Sequence, residues 1–346
     1  MYIKTLKIDN YNILNNIKMN FVAPQDNKNS VNVIAGVNGS GKTTLLNWIL
    51  KKFQDTISSN DNDDLIIYDK EEISSRVIYI PSNMTFNYQS QSAINTSYKF
   101  INRIDSDNLL GNAEFFIKEY ILTQERLSST SNPKQRTIDA VNKFNTIFKE
   151  SQFITRLVDL DIDNQNRPIF ETISGDKITI DKLSSGEQQL YARVVSLMIL
   201  NPQNSVILID EPELALHPKW QIEIMKIYSN IGINNQFIVT THSPFIISQT
   251  PHKSLIFLLN EGNKIVVKQF SEAPLDRDIN TIVKTIMGTD YLPKELAQLH
   301  NRYRKLFEEH QLDSDEAKIL KKQILEYESL NSSFFQQIEF DKVFME

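Results

Sequence analysis

A short segment near the N-terminus combines glycines with a lysine and a threonine in an order suited to holding a phosphate chain. Residues 36–43 have the sequence GVNGSGKT and fit the pattern GxxxxGK[ST] between an apolar strand and a helix. Glycines let backbone N–H groups turn towards phosphate oxygens, and the helix that starts here adds a favourable dipole. Three of the nine glycines in the chain fall within this segment, which favours a phosphate loop over a glycine-rich turn with an incidental lysine.

The side chains of this loop have separate expected roles. Lys42 supplies positive charge to the β- and γ-phosphates of a nucleoside triphosphate, and the Thr43 hydroxyl is placed to ligate Mg²⁺. We therefore predict ATP and Mg²⁺ as cofactors. The predicted nucleotide-binding residues of the loop are Asn38, Gly39, Ser40, Gly41, Lys42, Thr43 and Thr44.

Two carboxylates, Asp210 and Glu211, stand at the end of an apolar run that is typical of a buried strand, Val206–Asp210. Asp210 is expected to hold the metal through Thr43 or a water molecule, and Glu211 to polarise the attacking water as a general base. Ligands of open α/β sheets bind at the carboxyl ends of the strands, and both this run and the strand before the phosphate loop end there. The alternative is a buried strand that ends in two exposed acids.

His242 follows the next predicted strand, Phe237–Thr241. A histidine at this position can form a hydrogen bond with the γ-phosphate or with the attacking water. A lone histidine is more often structural. Its place after a strand expected to neighbour the acidic one favours the functional interpretation.

A second candidate anion site precedes a long predicted helix, at Leu183–Glu187 (LSSGE). The Ser184 hydroxyl, the Gly186 N–H group and the helix dipole are suited to a γ-phosphate. The same residues also form a good helix N-cap, with Glu187 in the first turn. Both interpretations fit this segment in isolation.

Taken together, the motifs resemble those of the ABC-type ATPases. Members of that class have a phosphate loop, then a signature of the LSGGQ or LSGGE kind, then an acidic pair, then a switch histidine. The resemblance covers residues 1–270 apart from an insertion. It implies a head-to-head homodimer or a larger homo-oligomer, in which Ser184, Ser185, Gly186 and Glu187 of one subunit contact the ATP held by the other.

The sequence departs from that pattern at three points. Ser185 replaces the first glycine of the signature. The glutamine of the family's metal-contacting loop has only weak counterparts here, namely Asn83, Gln89 and Gln91. Asn12 lies near the place where related DNA-maintenance ATPases often have a phosphate-contacting arginine or lysine. These departures put fast turnover in question, although they do not affect the prediction of ATP binding.

The residues around the acidic pair indicate which branch of the ABC-type ATPases the chain resembles. Residues 210–218 (DEPELALHP) resemble the form found in RecF-like, overcoming-lysogenization-type and defence-associated ATPases. The tail, Asp278–Gly288 followed by Leu292–Leu312, resembles the C-terminus of the ATPase subunits of Septu-type and retron-linked antiphage systems. That similarity implies a separate HNH nuclease partner, with DNA or tRNA as the ultimate target. An ordinary helical hairpin over the sheet edge is the alternative for this tail.

The order of the predicted elements indicates an α/β fold. Strand, helix and strand alternate over residues 187–270, which favours a mostly parallel sheet. We predict an ABC-ATPase-like P-loop domain in two parts: a β-rich part at residues 1–81 and a part at residues 152–270 with the signature, acidic pair and histidine. A helical insertion occupies residues 82–151. Residues 271–346 form a helical tail that could dock a partner.

Bulk properties exclude several classes of protein. The chain has 346 residues, of which 40% are hydrophobic and 23% charged, as in an ordinary globular protein. A net charge of −6 argues against a protein held on nucleic acid by bulk positive charge. Cysteine is absent, which excludes disulfides and thiolate chemistry. No apolar run approaches the ~20 residues that cross a bilayer, so we expect a cytoplasmic protein without a membrane partner.

Three functional hypotheses follow. The first is an ATPase whose ATP-dependent dimer controls a nucleic-acid-directed effector in antiphage defence. The second is a RecF-like repair ATPase that binds DNA itself, for which residues 300–305 (HNRYRK) offer cations and an aromatic ring. The third is a non-hydrolysing, ATP-bound scaffold for a nuclease. Apolar residues near the C-terminus, among them Phe334 and Phe340, are expected to pack on the chain's own core or in a partner's groove.

Overall fold

A computed structural model describes residues 1–55, 66–69, 76–82, 94–98, 101–104, 109–149, 155–214, 216–262, 264–272, 278–288 and 292–345. The chain divides into two compact units, Met1–Ile279 and Asn280–Glu346. The predicted α/β class with a mostly parallel central sheet is confirmed. None of the described helices is long and apolar enough to cross a membrane.

The first unit contains the strands of the fold. They are β1 (Tyr2–Tyr11), β2 (Leu14–Asn20), β3 (Ser30–Ala35), β4 (Ile66–Asp69), β5 (Val77–Ile80), β6 (Ile94–Tyr98), β7 (Ile101–Ile104), β8 (Thr155–Asp161), β9 (Arg167–Thr172), β10 (Lys177–Thr179), β11 (Val206–Asp210), β12 (Gln236–Thr241), β13 (Leu255–Glu261) and β14 (Lys264–Gln269).

Its helices are α1 (Lys42–Asp55), α2 (Leu109–Leu127), α3 (Pro133–Thr146), α4 (Ser185–Leu200), α5 (Pro218–Ser229) and α6 (Pro244–Gln249). A short α7 (Ile279–Thr281) leads into a π-helical turn at Ile282–Ile286. The second unit then contains α8 (Lys294–Glu308), α9 (Asp315–Ile324) and α10 (Ser333–Met345).

The central sheet positions the candidate site. Its eight strands have the order β14-β13-β3-β12-β11-β5-β7-β6 and are parallel from β13 to β7. Asp210 of β11 pairs with Thr240 of β12, and Thr241 pairs with Ala35 of β3. The carboxyl ends of these three strands are therefore in register. This edge of the sheet therefore carries the phosphate loop after β3, the acidic pair at the end of β11 and His242 after β12.

Burial explains why the central strands are rich in apolar residues. All five residues of β11 and all six of β12 are buried, since helices cover both faces of a parallel sheet. The hairpin of β1 and β2, extended by β4, forms a separate antiparallel sheet. Its inward side chains, such as Leu6 and Ile17, join Leu45 and Trp48 of α1 in a common core.

Residues 82–151 differ from the predicted helical insertion. The segment does contain helices, α2 and α3, but it also contributes β6 and β7 to one edge of the central sheet. The sequences of these strands, INTSY and INRI, are rich in polar residues and have no clear apolar alternation. That composition is typical of a loop, which is why the strands were not predicted.

A third, smaller sheet precedes the signature. Its strands have the order β10-β9-β8 and are antiparallel, and β9 and β10 form a hairpin around residues 174–176. Arg167 of β9 forms ion pairs with Glu114 of α2 at 2.8 Å and with Asp181 at 3.1 Å. This arginine thus connects helix α2 to the segment that leads into the signature.

The second unit has its own apolar core. Helices α8, α9 and α10 bury Leu296, Tyr303, Leu306, Phe307, Ala317, Leu320, Ile324, Phe335 and Ile338 together. A break at residues 309–314 separates α8 from α9. Phe335 is therefore a core residue, whereas Phe340 on α10 is 59% exposed.

Candidate functional site

The phosphate loop adopts the backbone that its glycines permit. Gly39 and Gly41 have φ values of 80° and 88°, in the region that side chains disfavour. A Cβ on Gly36 would lie 2.5 Å from Ser40 Oγ and 2.6 Å from the carbonyl oxygen of Leu258. The loop is therefore packed too closely for a larger residue at Gly36.

Two polar groups of this loop are suited to receive a phosphate. Lys42 is buried, and its Nζ donates to the carbonyl oxygens of Gly36 at 2.9 Å and Val37 at 3.2 Å. Ser40 Oγ is buried and makes no hydrogen bond within the described part of the chain. A buried hydroxyl without a hydrogen-bond partner destabilises the folded protein. A phosphate oxygen bound in the loop would accept a hydrogen bond from Ser40 Oγ.

Asp210 lies between two threonine hydroxyls. Thr43 Oγ1 donates to Asp210 Oδ2 at 2.8 Å, and Thr240 Oγ1 donates to Asp210 Oδ1. Within the described ranges, no cluster of three or more acids or histidines could form an all-protein metal site. Mg²⁺ usually binds through one or two protein oxygens together with water and phosphate. The pair of Thr43 and Asp210 fits that kind of site.

Glu211 has an unusual backbone at the end of β11. Its φ is 45°, a left-handed conformation that costs a residue with a Cβ roughly 1–2 kcal/mol. Its N–H donates to the carbonyl oxygen of Thr240 at 3.0 Å. The carboxylate lies 3.8 Å from Lys42 Nζ and 3.2 Å from His242 Nδ1. The strand does not end in two exposed acids, because Asp210 is buried and Glu211 is only partly exposed.

His242 is held by a further carboxylate that the sequence reasoning missed. Glu213 is 4% exposed, and its Oε1 accepts from Thr241 Oγ1 at 2.7 Å and from the His242 N–H at 2.8 Å. The same oxygen lies 3.4 Å from His242 Nδ1. Nδ1 thus faces carboxylate oxygens of both Glu211 and Glu213, and a proton on Nδ1 could be donated to either of them. The third acid of the DEPE segment was the available signal.

The signature forms the N-cap of α4. The Glu187 N–H donates to Ser184 Oγ at 3.3 Å and the Ser184 N–H donates to Glu187 Oε2 at 3.1 Å, which together form a capping box. Ser184 Oγ also donates to Glu187 Oε2 at 2.7 Å. Glu187 Oε1 also accepts from Thr155 Oγ1 at 2.7 Å. Ser184 and Ser185 are exposed, whereas Gly186 and Glu187 are buried. The N-cap interpretation thus describes the isolated chain, in which the two serines remain accessible.

The structure brings some predicted residues together and leaves others apart. Lys42, Thr43, Asp210, Glu211 and His242 form one connected cluster. The hydrogen bonds of Ser184 stay within the capping box. The weak counterparts of the family's metal-contacting glutamine, Asn83, Gln89 and Gln91, lie outside the described residues.

The basic run at residues 300–305 has partners of its own in the second unit. Arg302 pairs with Glu316 at 2.6 Å, and Arg304 lies 3.8 Å from Asp341. Tyr303 is buried in the core of that unit, so its ring is not available for stacking on a base. These contacts fit a solvated helix face better than a nucleic-acid site.

Comparison with known proteins agrees with the motifs. The family described as "AAA domain, putative AbiEii toxin, Type IV TA system" matches residues 48–248, more than half of the chain. A Septu protein PtuA from Bacillus mycoides (strain KBAB4) is 23% identical over 99% of this chain and 53% of its own length. A retron Vc95 probable ATPase from Vibrio cholerae serotype O1 biovar El Tor is 30% identical over 43% of this chain and 32% of its own length.

The chain spans about half or less of the length of these two relatives. Among solved structures, an SMC head bound to the C-terminal winged-helix domain of ScpA is 18% identical, with a TM-score of 0.42, over 78% of this chain and 98% of that one. The predicted resemblance to Septu-type and retron-linked ATPases is confirmed. The chain belongs to the family of AAA domains described as putative AbiEii toxin of type IV toxin–antitoxin systems.

Proposed function

We propose that this chain hydrolyses ATP as a homodimer or larger homo-oligomer and thereby controls a nucleic-acid-directed effector in antiphage defence. The observation that carries the proposal is the connected cluster at the sheet edge. The Thr43 hydroxyl donates to the carboxylate of Asp210. The next residue, Glu211, has its carboxylate within ion-pair distance of the buried Lys42 and beside His242. Each of these groups has a task in phosphoryl transfer to water.

The proposed binding residues belong to the phosphate loop and to β11. Residues 38–44 would surround the phosphates with N–H groups, and Lys42 would exchange its two carbonyl partners for phosphate oxygens. Thr43 and Asp210 would hold Mg²⁺, which neutralises negative charge on the β- and γ-phosphates. The unsatisfied hydroxyl of Ser40 supports this placement.

Glu211 and His242 are the proposed catalytic groups beside Lys42. Glu211 would accept a proton from the attacking water, since its carboxylate lies beside both Lys42 and His242. Lys42 also keeps that carboxylate close to the phosphates. Glu213 and Glu211 orient His242 through Nδ1, so that Nε2 can face the γ-phosphate or the attacking water.

The signature would act on the nucleotide of a second copy. Arg193 of α4 donates to the carbonyl oxygen of Glu211 at 3.3 Å, and Ser184 lies nine positions earlier on the same helix. Nine residues of α-helix span roughly 14 Å. The signature therefore begins about two and a half helical turns before the arginine that contacts Glu211. A head-to-head dimer would use this offset to place the exposed serines on the partner's ATP.

The effector part of the proposal comes from the relatives and the tail. The relatives carry the names Septu protein and retron ATPase, and the resemblance implies an HNH nuclease partner with DNA or tRNA as target. The paired cations of the tail support a partner that contacts nucleic acid over direct DNA binding by this chain.

ATP turnover per subunit, measured across protein concentration, tests the proposal. Glu211→Gln removes the base and keeps the shape of the side chain. We expect turnover that rises with concentration in the wild type and falls at least about a hundredfold in the variant, since general bases contribute roughly 10²–10⁴ in rate. Light scattering with ATP should detect a dimer in both proteins, and a longer-lived one in the variant.

Glu261→Gln is the matched control, because Glu261 is an exposed acid at the end of β13 that pairs with Lys268. It should behave as the wild type. Tight ATP binding without turnover in the wild type would instead favour the non-hydrolysing scaffold, and an unchanged mass on adding ATP would contradict the dimer.

A further inference from the structure

Arg193 is a buried cation at the meeting point of several elements. It lies on α4, and its Nη1 donates to the carbonyl oxygen of Glu211 at 3.3 Å. Its Nη2 donates to the carbonyl oxygen of Ser82, just after β5, at 3.0 Å. The guanidinium thus connects the signature helix to the ends of two neighbouring strands, β11 and β5, which pair in the sheet.

The burial of this side chain is exceptional. Arg193 is 1% exposed, and among the described residues only Lys42 is a comparably buried cation. Arginines are seldom fully buried unless they are paired. The Tyr228 hydroxyl lies beside the guanidinium, and burial raises the pKa of Tyr228 to about 12, so this hydroxyl stays protonated at neutral pH. Glu213 and Asp210 also lie near enough to attract the positive charge.

The group that Arg193 holds is the strained backbone of Glu211. A residue other than glycine keeps a left-handed φ only where surrounding contacts impose it. Three hydrogen bonds hold this residue here. The Glu211 N–H donates to the carbonyl oxygen of Thr240, and the Glu211 carbonyl oxygen accepts from Arg193 and, at 3.3 Å within the following turn, from the Leu214 N–H. The first belongs to the sheet edge. The second depends on the position of α4.

Helix α4 links the exposed serines of the signature to the arginine that contacts Glu211. Its N-terminus bears the exposed Ser184 and Ser185, and its middle bears Arg193. A helix moves largely as a rigid element, so a displacement of the signature also moves the guanidinium. Arg193 would transmit that displacement to the peptide that aims the Glu211 carboxylate.

We propose that Arg193 is a positioning residue that couples the two composite ATP sites of the dimer. This inference rests on the proposed function. When the signature of one subunit closes on the ATP of its partner, Arg193 aligns Glu211 of its own subunit, which serves the other ATP. Each site therefore reaches full activity only when the opposite site is filled, and turnover is cooperative in ATP.

Arg193→Lys tests the coupling because it keeps the charge but loses the planar fork that reaches two carbonyl oxygens at once. Without nucleotide, we expect amide hydrogen exchange in residues 208–214 to become at least fivefold faster, with exchange at residues 183–187 unchanged. With ATP, we expect kcat to fall at least tenfold, the Kd for ATP to stay within twofold, and the Hill coefficient to drop from above 1 to 1.

A double-mutant cycle separates positioning from a general structural role. Because Arg193 acts through Glu211, Arg193→Lys should change the residual turnover of the Glu211→Gln protein less than twofold. Arg76→Lys is the matched control. Arg76 donates to the carbonyl oxygen of Leu200 at the far end of α4, at 3.4 Å, and lies away from the catalytic cluster. That variant should keep wild-type kcat, cooperativity and exchange.

Several outcomes would overturn the coupling. Unchanged exchange at residues 208–214 together with normal kcat and cooperativity would do so, as would faster exchange throughout the unit, which marks a purely structural role. If circular dichroism shows that Arg193→Lys is unfolded, Arg193→Gln, neutral and still a donor, takes its place under the same criteria. No turnover in the wild type would refute the proposed ATPase and the coupling together, whereas normal wild-type turnover with a cooperative variant would refute the coupling alone.

Discussion

Two threonine hydroxyls determine the orientation of the Asp210 carboxylate in the candidate metal site. Each of its oxygens accepts from one threonine, Thr43 from the phosphate loop and Thr240 from β12. A metal ion would take the place of the Thr43 hydrogen bond. The Thr240 bond would persist and fix the carboxylate plane. Thr240 is thus as important as Thr43 for the orientation of the Asp210 carboxylate.

Thr240→Val should weaken Mg²⁺ dependence and stability together. The substitution keeps the shape but leaves a buried carboxylate oxygen without its donor, which costs about 1–3 kcal/mol. We expect a lower thermal midpoint and a severalfold rise in the Mg²⁺ concentration that gives half-maximal turnover. Thr250→Val is the control, since the buried Thr250 hydroxyl donates only to the local carbonyl oxygen of Ile246. An equal Mg²⁺ shift in both variants would refute the specific role of Thr240.

At this scale, the sequence predicted the residues that end strands in recognisable motifs and missed their supports. Lys42, Asp210, Glu211 and His242 follow from motif order and from the rule that ligands bind at the carboxyl edge. Thr240, Glu213 and Arg193 contact those residues only because β12, the turn after β11 and α4 converge in space. Such contacts depend on tertiary packing, which residue spacing in one chain does not specify.

Among the elements, helix α4 is the one whose N-terminus is proposed to serve both stability and nucleotide binding. Its capping box satisfies N–H groups of the first turn through Ser184 and Glu187. The same serine is the residue expected to face the partner's γ-phosphate. Stability and function therefore overlap at one hydroxyl, and an alanine substitution would not separate them, because loss of the cap alone costs about 0.5–2 kcal/mol.

Ser184→Gly separates the two roles. Glycine is itself an acceptable N-cap and costs only a few tenths of a kcal/mol relative to serine, but it has no hydroxyl to offer a phosphate. We expect a thermal midpoint close to that of the wild type together with a marked loss of ATP-dependent dimer and turnover. Ser314→Gly at the N-cap of α9 is the matched control and should leave both unchanged. Normal dimerisation of Ser184→Gly would leave the signature with a structural role only.

The elements that the sequence predicted well are those with strong periodicity or apolar runs. Strand β11 and helices α2 and α3 are examples, because burial of one face or of the whole element imposes a pattern. Strands β6 and β7 were missed because polar side chains at the margin of a sheet leave no such pattern. Their order in the sheet depends on pairing with β5, a contact between distant parts of the chain.

For the whole molecule, the main feature is its division into two units with separate cores. The sequence placed the start of the helical tail at residue 271, and the structural division falls after Ile279. Each unit buries its own apolar cluster, around α1 and the central sheet in the first and among α8, α9 and α10 in the second. A unit with its own core can unfold without the other. The proposed catalytic cluster lies entirely in the first unit.

A chain truncated after Ile279 should therefore keep ATP binding. Every residue of the phosphate loop, the acidic pair and the signature precedes the cut, and the apolar core around α1 and the central sheet is complete without residues 280–346. We expect cooperative thermal unfolding and a Kd for ATP within about twofold of the full chain, measured by isothermal titration calorimetry. The proposed association with an HNH nuclease should be lost, because the resemblance that implies it includes the tail.

Phe340→Asp in the full chain is the companion variant. Phe340 is exposed on α10 and lies outside the buried cluster of the second unit, so the substitution should leave that unit folded while adding a charge to its surface. Loss of nuclease binding in both proteins would place the docking surface on α10, and loss in the truncated chain alone would place it elsewhere in the tail. Loss of ATP binding on truncation would show that the first unit needs the second, against the division inferred from their separate cores.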